Sequence, residues 1–499
     1  MTHKISLKQV LNLLTEHQLL VETKNIENIS DFDHISYDSS NIKENTLFFC
    51  KGIHFKLNYL EEALQKGAIC YLAEKDFLEN SSHARIIVTD VRLTISLIAP
   101  IFYENPAKDL NLIGITGTKG KTTVAYFLKN ILDYACQKET GLMGTEETIT
   151  GLRHEASHNT TPEAFDLQNF LDEARASKLP YFTMEVTSQA YKMKRVLNIA
   201  FKYAIWLNIA EDHISPAEHS NFEDYISCKL ELMKNASHIL INKDSDHFER
   251  ILQTAKSSNL TKEIILYGSE KNKDSVNFYY HNVKREGVFQ SFTVSSEKID
   301  FNESFRISTL GLFNIENATA AIAMAKMLGI NNKSIREGLI KTEIPGRMNI
   351  IENKGITAVI DYAHNLMSFS ALFDSLRQDF PENKLIAIGG APGEKAYQRR
   401  KDFADVIGKY ADYTYLTAED PQFESVQKIC EEIASYMPQA QYEIIEDRQE
   451  AIQKAFERAN KGDILVLLAK GTEAFQKVKG KWLDYPSDLI LAKKYLAKK

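Results

Sequence analysis

Residues 114–123 read GITGTKGKTT. An apolar run, Asn111 to Thr116, leads into this glycine-rich turn, and a helical spacing follows it. Val124, Phe127, Leu128, Ile131 and Ala135 recur at three and four residues, one face of a helix. Strand, glycine-rich turn and helix is the order of a phosphate loop. Gly117 and Gly120 let backbone N–H groups approach an anion, and the helix start adds the positive end of its dipole. Lys121 is expected to reach the outer phosphates and the Thr122 hydroxyl to bind Mg2+, with Thr118, Lys119 and Thr123 completing the nucleotide contacts. The customary small residue five positions before the Gly-Lys pair is Ile115 here. It falls inside the strand, where an apolar residue packs well. The competing reading, a lysine- and threonine-rich turn without a ligand, does not explain why the turn joins a strand to an amphipathic helix.

The pattern of an apolar run closed by a polar cluster recurs along the chain: YFTMEV then TSQ (181–189), YAIWLNI then AEDH (203–213), ITAVI then DYAHN (356–365), KLIAI then GGAPGEK (384–395), DYTYL then TAEDP (412–421), and DILVLL then AKGTE (463–473). Continuous apolar runs suit strands buried on both faces. With helical patterns between them they predict an α/β protein of doubly wound sheets, in which ligands bind beyond the C-terminal strand ends. The chain of 499 residues is long enough for about three domains. Plausible boundaries lie at ENPAKDLN (104–111) and TEIPGRMN (342–349), giving parts 1–107, 108–345 and 346–499.

A net charge of −7 argues against a nucleic-acid-coating role. The five cysteines are scattered, with no C-x-x-C pair, so neither a disulfide frame nor a thiolate zinc site is expected. The N-terminus has no signal-peptide apolar block, and the most apolar run, Ile464–Ala469, is too short to span a bilayer. A cytoplasmic protein with no membrane partner is expected, and a monomer.

TGTKGKTT, NTTPE, MEVTSQ, NIAEDH, FNIENATAA, PGRM, DYAHN and AKGTE occur in one order along the chain. In that order and wording the sequence resembles the Mur ligases of peptidoglycan synthesis, from about Tyr37 to the last strand. The resemblance implies an N-terminal α/β domain for the uridine nucleotide, a central P-loop ATPase domain with a mostly parallel sheet, and a C-terminal Rossmann-like domain for an incoming amino acid. It also implies a reaction. ATP phosphorylates the side-chain carboxylate of D-glutamate in UDP-N-acetylmuramoyl-L-alanyl-D-glutamate, and an amine displaces the phosphate. A carboxylate is a poor electrophile, so the protein's task is to neutralise charge and align groups.

By the resemblance, Glu185 shares a Mg2+ with Thr122, His213 holds a second Mg2+, and Lys229 is carbamylated and so converted from a cation to a metal-binding anion. Lys121, Lys229 and His213 are thus the catalytic candidates. Asn317, Arg347 and Asp361 are implied to contact ATP, and Ser39, Thr160, Thr161, Thr187 and Arg195 the UDP-muramoyl dipeptide. Taken alone, most of these have plainer readings: a strand-end Glu as a cap, a helix-start Asn, a solvated helix lysine at 229. The sequence departs from the family at Ser40, where relatives have Arg in D-S-R, and at Gln189, where many have His.

The loop Glu419-Asp420-Pro421-Gln422 bears on the amino acid. Family members that add meso-diaminopimelate carry D-N-P-R here, and their Arg pairs with that substrate's extra carboxylate. Gln422 offers no charge for it. With Asp420 and Glu473 the pocket is expected to be acidic and to take L-lysine. L-ornithine, D-lysine and meso-diaminopimelate are the alternatives within the reaction. A folylpolyglutamate-type ligase is disfavoured by the 107 residues before the phosphate loop. A non-catalytic nucleotide-dependent regulatory paralogue has little use for Lys121, Glu185, His213 and Lys229 together.

Overall fold

The computed structural model describes residues 3–52, 55–212, 214, 218–286, 289–345 and 348–499, so His213 and Arg347 lie outside the described residues. The chain divides into two compact units, Met1–Ala125 with Ala135–Tyr267, and Tyr126–Tyr134 with Gly268–Lys499.

Besides the short pairing of Ile5–Ser6 with Asp31–Phe32, the first unit holds two large sheets. The N-terminal one orders its strands Leu20–Lys24, Ala84–Val88, Ala68–Ala73, Thr46–Phe49 and His34–Ser36. The first pair is antiparallel and the others are parallel. Leu47, Phe49, Cys70, Leu72, Ile86 and Val88 form its core with Ile95 and Ile98 of helix Val91–Phe102. In the second sheet Leu112–Thr116 is central, with Phe182–Glu185 on one side and Phe201–Trp206 on the other, both parallel to it. Ala236–Asn242 and Glu263–Ser269 continue the parallel run. Gly141–Met143, Glu147–Ile149 and His154–Ala156 extend the opposite edge and end in two antiparallel pairings. Trp206 ends its strand fully buried, and its indole N–H donates to the Ser245 hydroxyl at 3.1 Å.

The second unit opens with an antiparallel meander, Phe278–Glu286, Phe289–Ser296 and Phe301–Ile307, followed by helices Leu312–Met327 and Asn332–Ile340. A six-stranded sheet then runs in the order Asn349–Asn353, Ile356–Asp361, Ile464–Leu468, Leu385–Gly389, Tyr413–Leu416, Tyr442–Ile444. Only its first pairing is antiparallel. Side chains alternate between faces. Val359, Ala387 and Val466 pack with Phe373, Phe403 and Ile433. Ile360, Ile388, Leu465 and Leu467 pack on the other face with Ile452, Phe456 and Leu491. Helices on both faces explain the continuous apolar runs, since every strand residue has a core to enter. Each such fully buried aliphatic side chain contributes about 1.5–3 kcal/mol.

All seven apolar runs read from the sequence are strands of parallel ladders. The helix after the phosphate loop, Lys121–Cys136, differs from its expected single buried face. Ala125, Tyr126 and Leu132 are buried along with Val124, Phe127, Leu128 and Ile131, while Ala135 is only half-buried. The helix is enclosed on most of its circumference for three turns, which an amphipathic reading does not anticipate.

Candidate active site

Gly117–Gly120 leaves the central strand as a tight turn. A Cβ on Gly117 would meet the Leu207 Cβ at 2.9 Å, and Gly120 has φ +87°, so both positions require glycine. The turn is pinned to the next strand's end: Thr118 N–H donates to the Asn208 carbonyl at 3.1 Å, and Lys119 N–H to the Asn208 side chain at 2.9 Å. The Thr118 and Tyr225 hydroxyls lie 2.9 Å apart, and Lys119 pairs with Asp212 at 3.2 Å.

Two ammonium groups converge on this turn. Lys121 Nζ donates to the carbonyls of Gly117, at 2.9 Å, and Thr118, at 3.2 Å. Lys229, on helix Phe222–Lys234, donates to the Gly117 carbonyl at 2.8 Å and is 2% exposed. Burial, and then the charge of Lys121, holds the Lys229 ammonium well below the usual lysine range.

Glu185, at the end of its strand and 1% exposed, faces the other side of the helix start. It accepts from the Thr122 hydroxyl at 3.1 Å, from Thr145 N–H at 2.9 Å and from the Thr145 hydroxyl at 3.2 Å. A Cβ on Gly144 would collide with the same carboxylate. Oxygen donors from Thr122 and Glu185 therefore meet next to the phosphate turn, a donor set that suits a hard divalent cation. His219, Asp224 and Cys228 also lie close enough together to be weighed as metal ligands. However, Lys192 pairs with the Asp224 carboxylate, which makes that cluster an ion pair rather than a metal site.

A cavity of about 270 Å³ brings Lys121 and Lys229 together with Thr160, Thr161, Thr187 and Arg195, four of the five residues expected for the dipeptide. The Thr161 hydroxyl donates to the Glu185 carbonyl at 2.9 Å. Arg195 donates to the Thr161 carbonyl at 3.0 Å and pairs with Glu163 at 2.6 Å. Asn159 lines both this cavity and a larger one of about 1050 Å³, where Asn41, Lys43, Arg153 and His158 also lie. Ser39, the fifth residue, lines neither cavity; its hydroxyl donates to Glu62 at 2.7 Å.

In the second unit Asn317 is buried and donates to the Asn314 side chain at 3.4 Å. Asp361 accepts the backbone N–H groups of Met348 and Ala363, each at 2.7 Å. The amino-acid candidates lie on two strand-end loops. Lys470 Nζ, 1% exposed, lies 3.0 Å from Asp420 and pairs with Glu473, which also receives the Tyr362 hydroxyl. Two carboxylates against one ammonium leave the cluster one net negative charge. Glu419 beside it is buried, and that burial pushes its carboxyl up to about 7. Gln422, at φ +52°, joins the hairpin Phe475–Val478 and Lys481–Asp484, donating its N–H to the Lys477 carbonyl at 3.0 Å. Gly393 N–H donates to the Asp420 carbonyl at 3.0 Å, and a Cβ on Gly393 would collide with the Pro421 carbonyl. Trp482 of the hairpin is 62% exposed, stacked edgewise on Phe475 with Lys477 over its ring.

Sequence reasoning missed Thr145, Asn208, Tyr225 and Lys470. Lys470 stands in the polar cluster that follows an apolar run, a signal that was available, and Asn208 is the amide inside the run YAIWLNI. Thr145 and Tyr225 carry none.

Lys121 and Lys229 at the small cavity and Glu185 beside the helix start thus flank one glycine-rich turn, and known proteins resemble the chain along its length. The Mur ligase middle domain matches residues 115–325, and the Mur ligase glutamate ligase domain matches residues 346–471. The chain is 37% identical to the UDP-N-acetylmuramyl-tripeptide synthetase of Lactobacillus acidophilus, covering 99% of this chain and 97% of that protein. It is 40% identical to the UDP-N-acetylmuramoyl-L-alanyl-D-glutamate--L-lysine ligase of Streptococcus thermophilus, covering 93% of each. A solved UDP-N-acetylmuramoyl-L-alanyl-D-glutamate--2,6-diaminopimelate ligase superposes over 100% of this chain and 99% of its own, with a TM-score of 0.68 at 23% identity. The chain belongs to the Mur ligase family and is a ligase.

Proposed function

We propose that this enzyme joins L-lysine to the D-glutamate of UDP-N-acetylmuramoyl-L-alanyl-D-glutamate, using ATP and Mg2+ and passing through an acyl phosphate. The observation that carries the reading is the single small cavity where Lys121, Lys229, Thr160, Thr161, Thr187 and Arg195 meet. Its cations suit a carboxylate acceptor and a transferring phosphoryl group, and its hydroxyls suit the amide-rich dipeptide. The larger cavity that shares Asn159 gives room for the UDP-sugar.

Thr122 and Glu185 would hold the Mg2+, which neutralises charge on the phosphoryl group when bound. Lys121 supplies a fixed positive charge at the turn. Burial disfavours the Lys229 ammonium, which favours the neutral amine that carbamylation requires, and the resulting anion would add a metal ligand. His213 and Arg347 keep the roles the family resemblance implies. The same holds for Asn317 and Asp361 toward ATP and for Ser39 toward the uridine end.

The amino-acid site consists of Glu419, Asp420, Pro421, Gln422 and Glu473, to which Lys470 is added. Its residual negative charge attracts a terminal ammonium, and Gln422 offers no charge to a second carboxylate. Names of relatives support L-lysine too, at 40% identity over most of the chain. Domains at 1–107, 108–345 and 346–499 are supported by the three largest sheets, one of which falls within each range. The setting is the cytoplasm, where ATP and UDP-linked precursors meet; among the described residues no helix is long and apolar enough to cross a membrane.

The test mixes enzyme, ATP, Mg2+ and the UDP-muramoyl dipeptide and measures phosphate release with L-lysine, L-ornithine, D-lysine and meso-diaminopimelate. Highest kcat/KM for L-lysine is expected. Preference for meso-diaminopimelate overturns the charge argument, and no release with any amino acid overturns the reaction.

A further inference from the structure

The two loops of the amino-acid site leave strands that do not touch. Glu419 and Asp420 follow Tyr413–Leu416, and Lys470 and Glu473 follow Ile464–Leu468, with Leu385–Gly389 between them in the sheet. Strands two places apart are about 10 Å from each other, so no ladder hydrogen bond sets the spacing of these ends.

A buried side chain spans that gap. Arg448 starts helix Arg448–Arg458 and is 1% exposed. Its Nη1 donates to the Ala418 carbonyl at 3.1 Å, and its Nη2 to the Leu468 carbonyl at 2.6 Å. These carbonyls belong to the residue before Glu419 and the residue two before Lys470. The other edge of the guanidinium is held by Asp488, with Nε to Oδ1 at 2.9 Å and Nη2 to Oδ2 at 2.6 Å. Asp488 also accepts the Tyr485 hydroxyl at 2.6 Å.

The backbone near this bridge is over-determined. Ala469, one residue past the Leu468 carbonyl, has φ +75°, which a non-glycine residue keeps only when its surroundings hold it. At the loop tips, by contrast, the tie from Lys470 to Asp420 uses a carboxylate that the incoming ammonium would also seek. The bridge at the loop roots uses none of them.

We propose that Arg448 is a positioning residue for the amino-acid site: clamped by Asp488, it ties the Ala418 and Leu468 carbonyls together and so sets the distance between the Glu419–Asp420 loop and the Lys470–Glu473 loop. This rests on the assignment of those loops to the amino acid. A planar guanidinium can serve Asp488 and both carbonyls at once. A lysine ammonium in its place can serve Asp488 while leaving the loop roots untied.

Arg448→Lys therefore separates positioning from mere stability. The expected result is a folded protein whose KM for L-lysine rises about tenfold, a change of about 1.4 kcal/mol, while its KM for ATP stays within about twofold. An unchanged KM for L-lysine overturns the proposal, as does a parallel loss in every kinetic constant. If Arg448→Lys does not accumulate as folded protein, Tyr485→Phe reads the same clamp. It should raise the KM for L-lysine alone by about two- to threefold, and no change there overturns the proposal. Asp420→Asn tests the premise separately. If it leaves the KM for L-lysine unchanged, the loop assignment falls and the proposal with it. If it raises that KM while Arg448→Lys does not, the assignment stands and the role of Arg448 is overturned.

Discussion

In one unit two ammonium groups, those of Lys121 and Lys229, converge on the Gly117 carbonyl; in the other, two carboxylates, those of Asp420 and Glu473, converge on the Lys470 ammonium. The two clusters are built differently. The phosphate turn takes its shape from contiguous backbone, with glycines at the two positions where a side chain would clash or strain. The amino-acid loops take theirs from groups distant in sequence, the Arg448 and Lys470 side chains and the Gly393 N–H. A site built from contiguous backbone tolerates little local change, whereas one built from distant side chains can be retuned one residue at a time. Under the proposed assignment, the amino-acid end is thus where specificity has room to vary.

Substitutions should bring out that contrast. The largest effect is expected for Lys121→Ala, which removes the fixed charge at the turn. Phosphate release should fall by about 10³-fold, as for loss of a main transition-state charge. Near-native turnover would sink the nucleotide assignment. Lys229→Ala should cost about 10²- to 10³-fold in kcat. If the missing group is a carbamate, a short carboxylic acid in the buffer should restore part of the rate; mass spectrometry showing an unmodified Lys229 in active protein speaks against it.

Glu473→Gln should act on the amino acid alone. Loss of a charge-assisted contact is worth about 1.5–3 kcal/mol, so the KM for L-lysine should rise roughly 10- to 100-fold with the KM for ATP nearly constant. Equal shifts in both constants would erase the distinction between the two clusters.

The smallest effect concerns Glu419. Its carboxyl is raised from its ordinary value to about 7, so between about 4.5 and 7 the native state binds more protons than the unfolded chain. Stability from this group is fully present below about 4.5 and declines as pH rises through about 7. Glu419→Gln should remove that decline. Comparing Tm at pH 5.5 and 8, the native chain should lose on the order of 5 °C more than the variant; identical pH profiles would exclude the effect.

What the sequence made legible follows the same division. Buried parallel strands are continuous apolar runs, and the glycine turn is contiguous, so the two doubly wound sheets and the residues from Gly117 to Thr123 could be read directly. The antiparallel meander Phe278–Ile307 could not. Much of Phe278–Glu286 is exposed, and its polar stretch HNVKRE carries no buried periodicity. Thr145 stayed hidden because its partner Glu185 is 40 residues away. Lys470 was passed over because its neighbour Glu473 already accounted for the motif, and its pairing with Asp420 spans 50 residues. The enclosure of helix Lys121–Cys136 depends on packing that no local spacing encodes.

The chain contains only two tryptophans, and they fall one to each unit. Trp206 is sealed at the end of the strand paired with Thr116, immediately before the phosphate turn. Trp482 stands in solvent on the hairpin that meets Gln422. The molecule therefore carries two intrinsic fluorophores with opposite environments, a blue-emitting one beside the nucleotide loop and a red-emitting, quencher-accessible one beside the amino-acid loop. Acrylamide should extinguish the second first, so occupancy of the two ends can be followed separately by emission wavelength without a label.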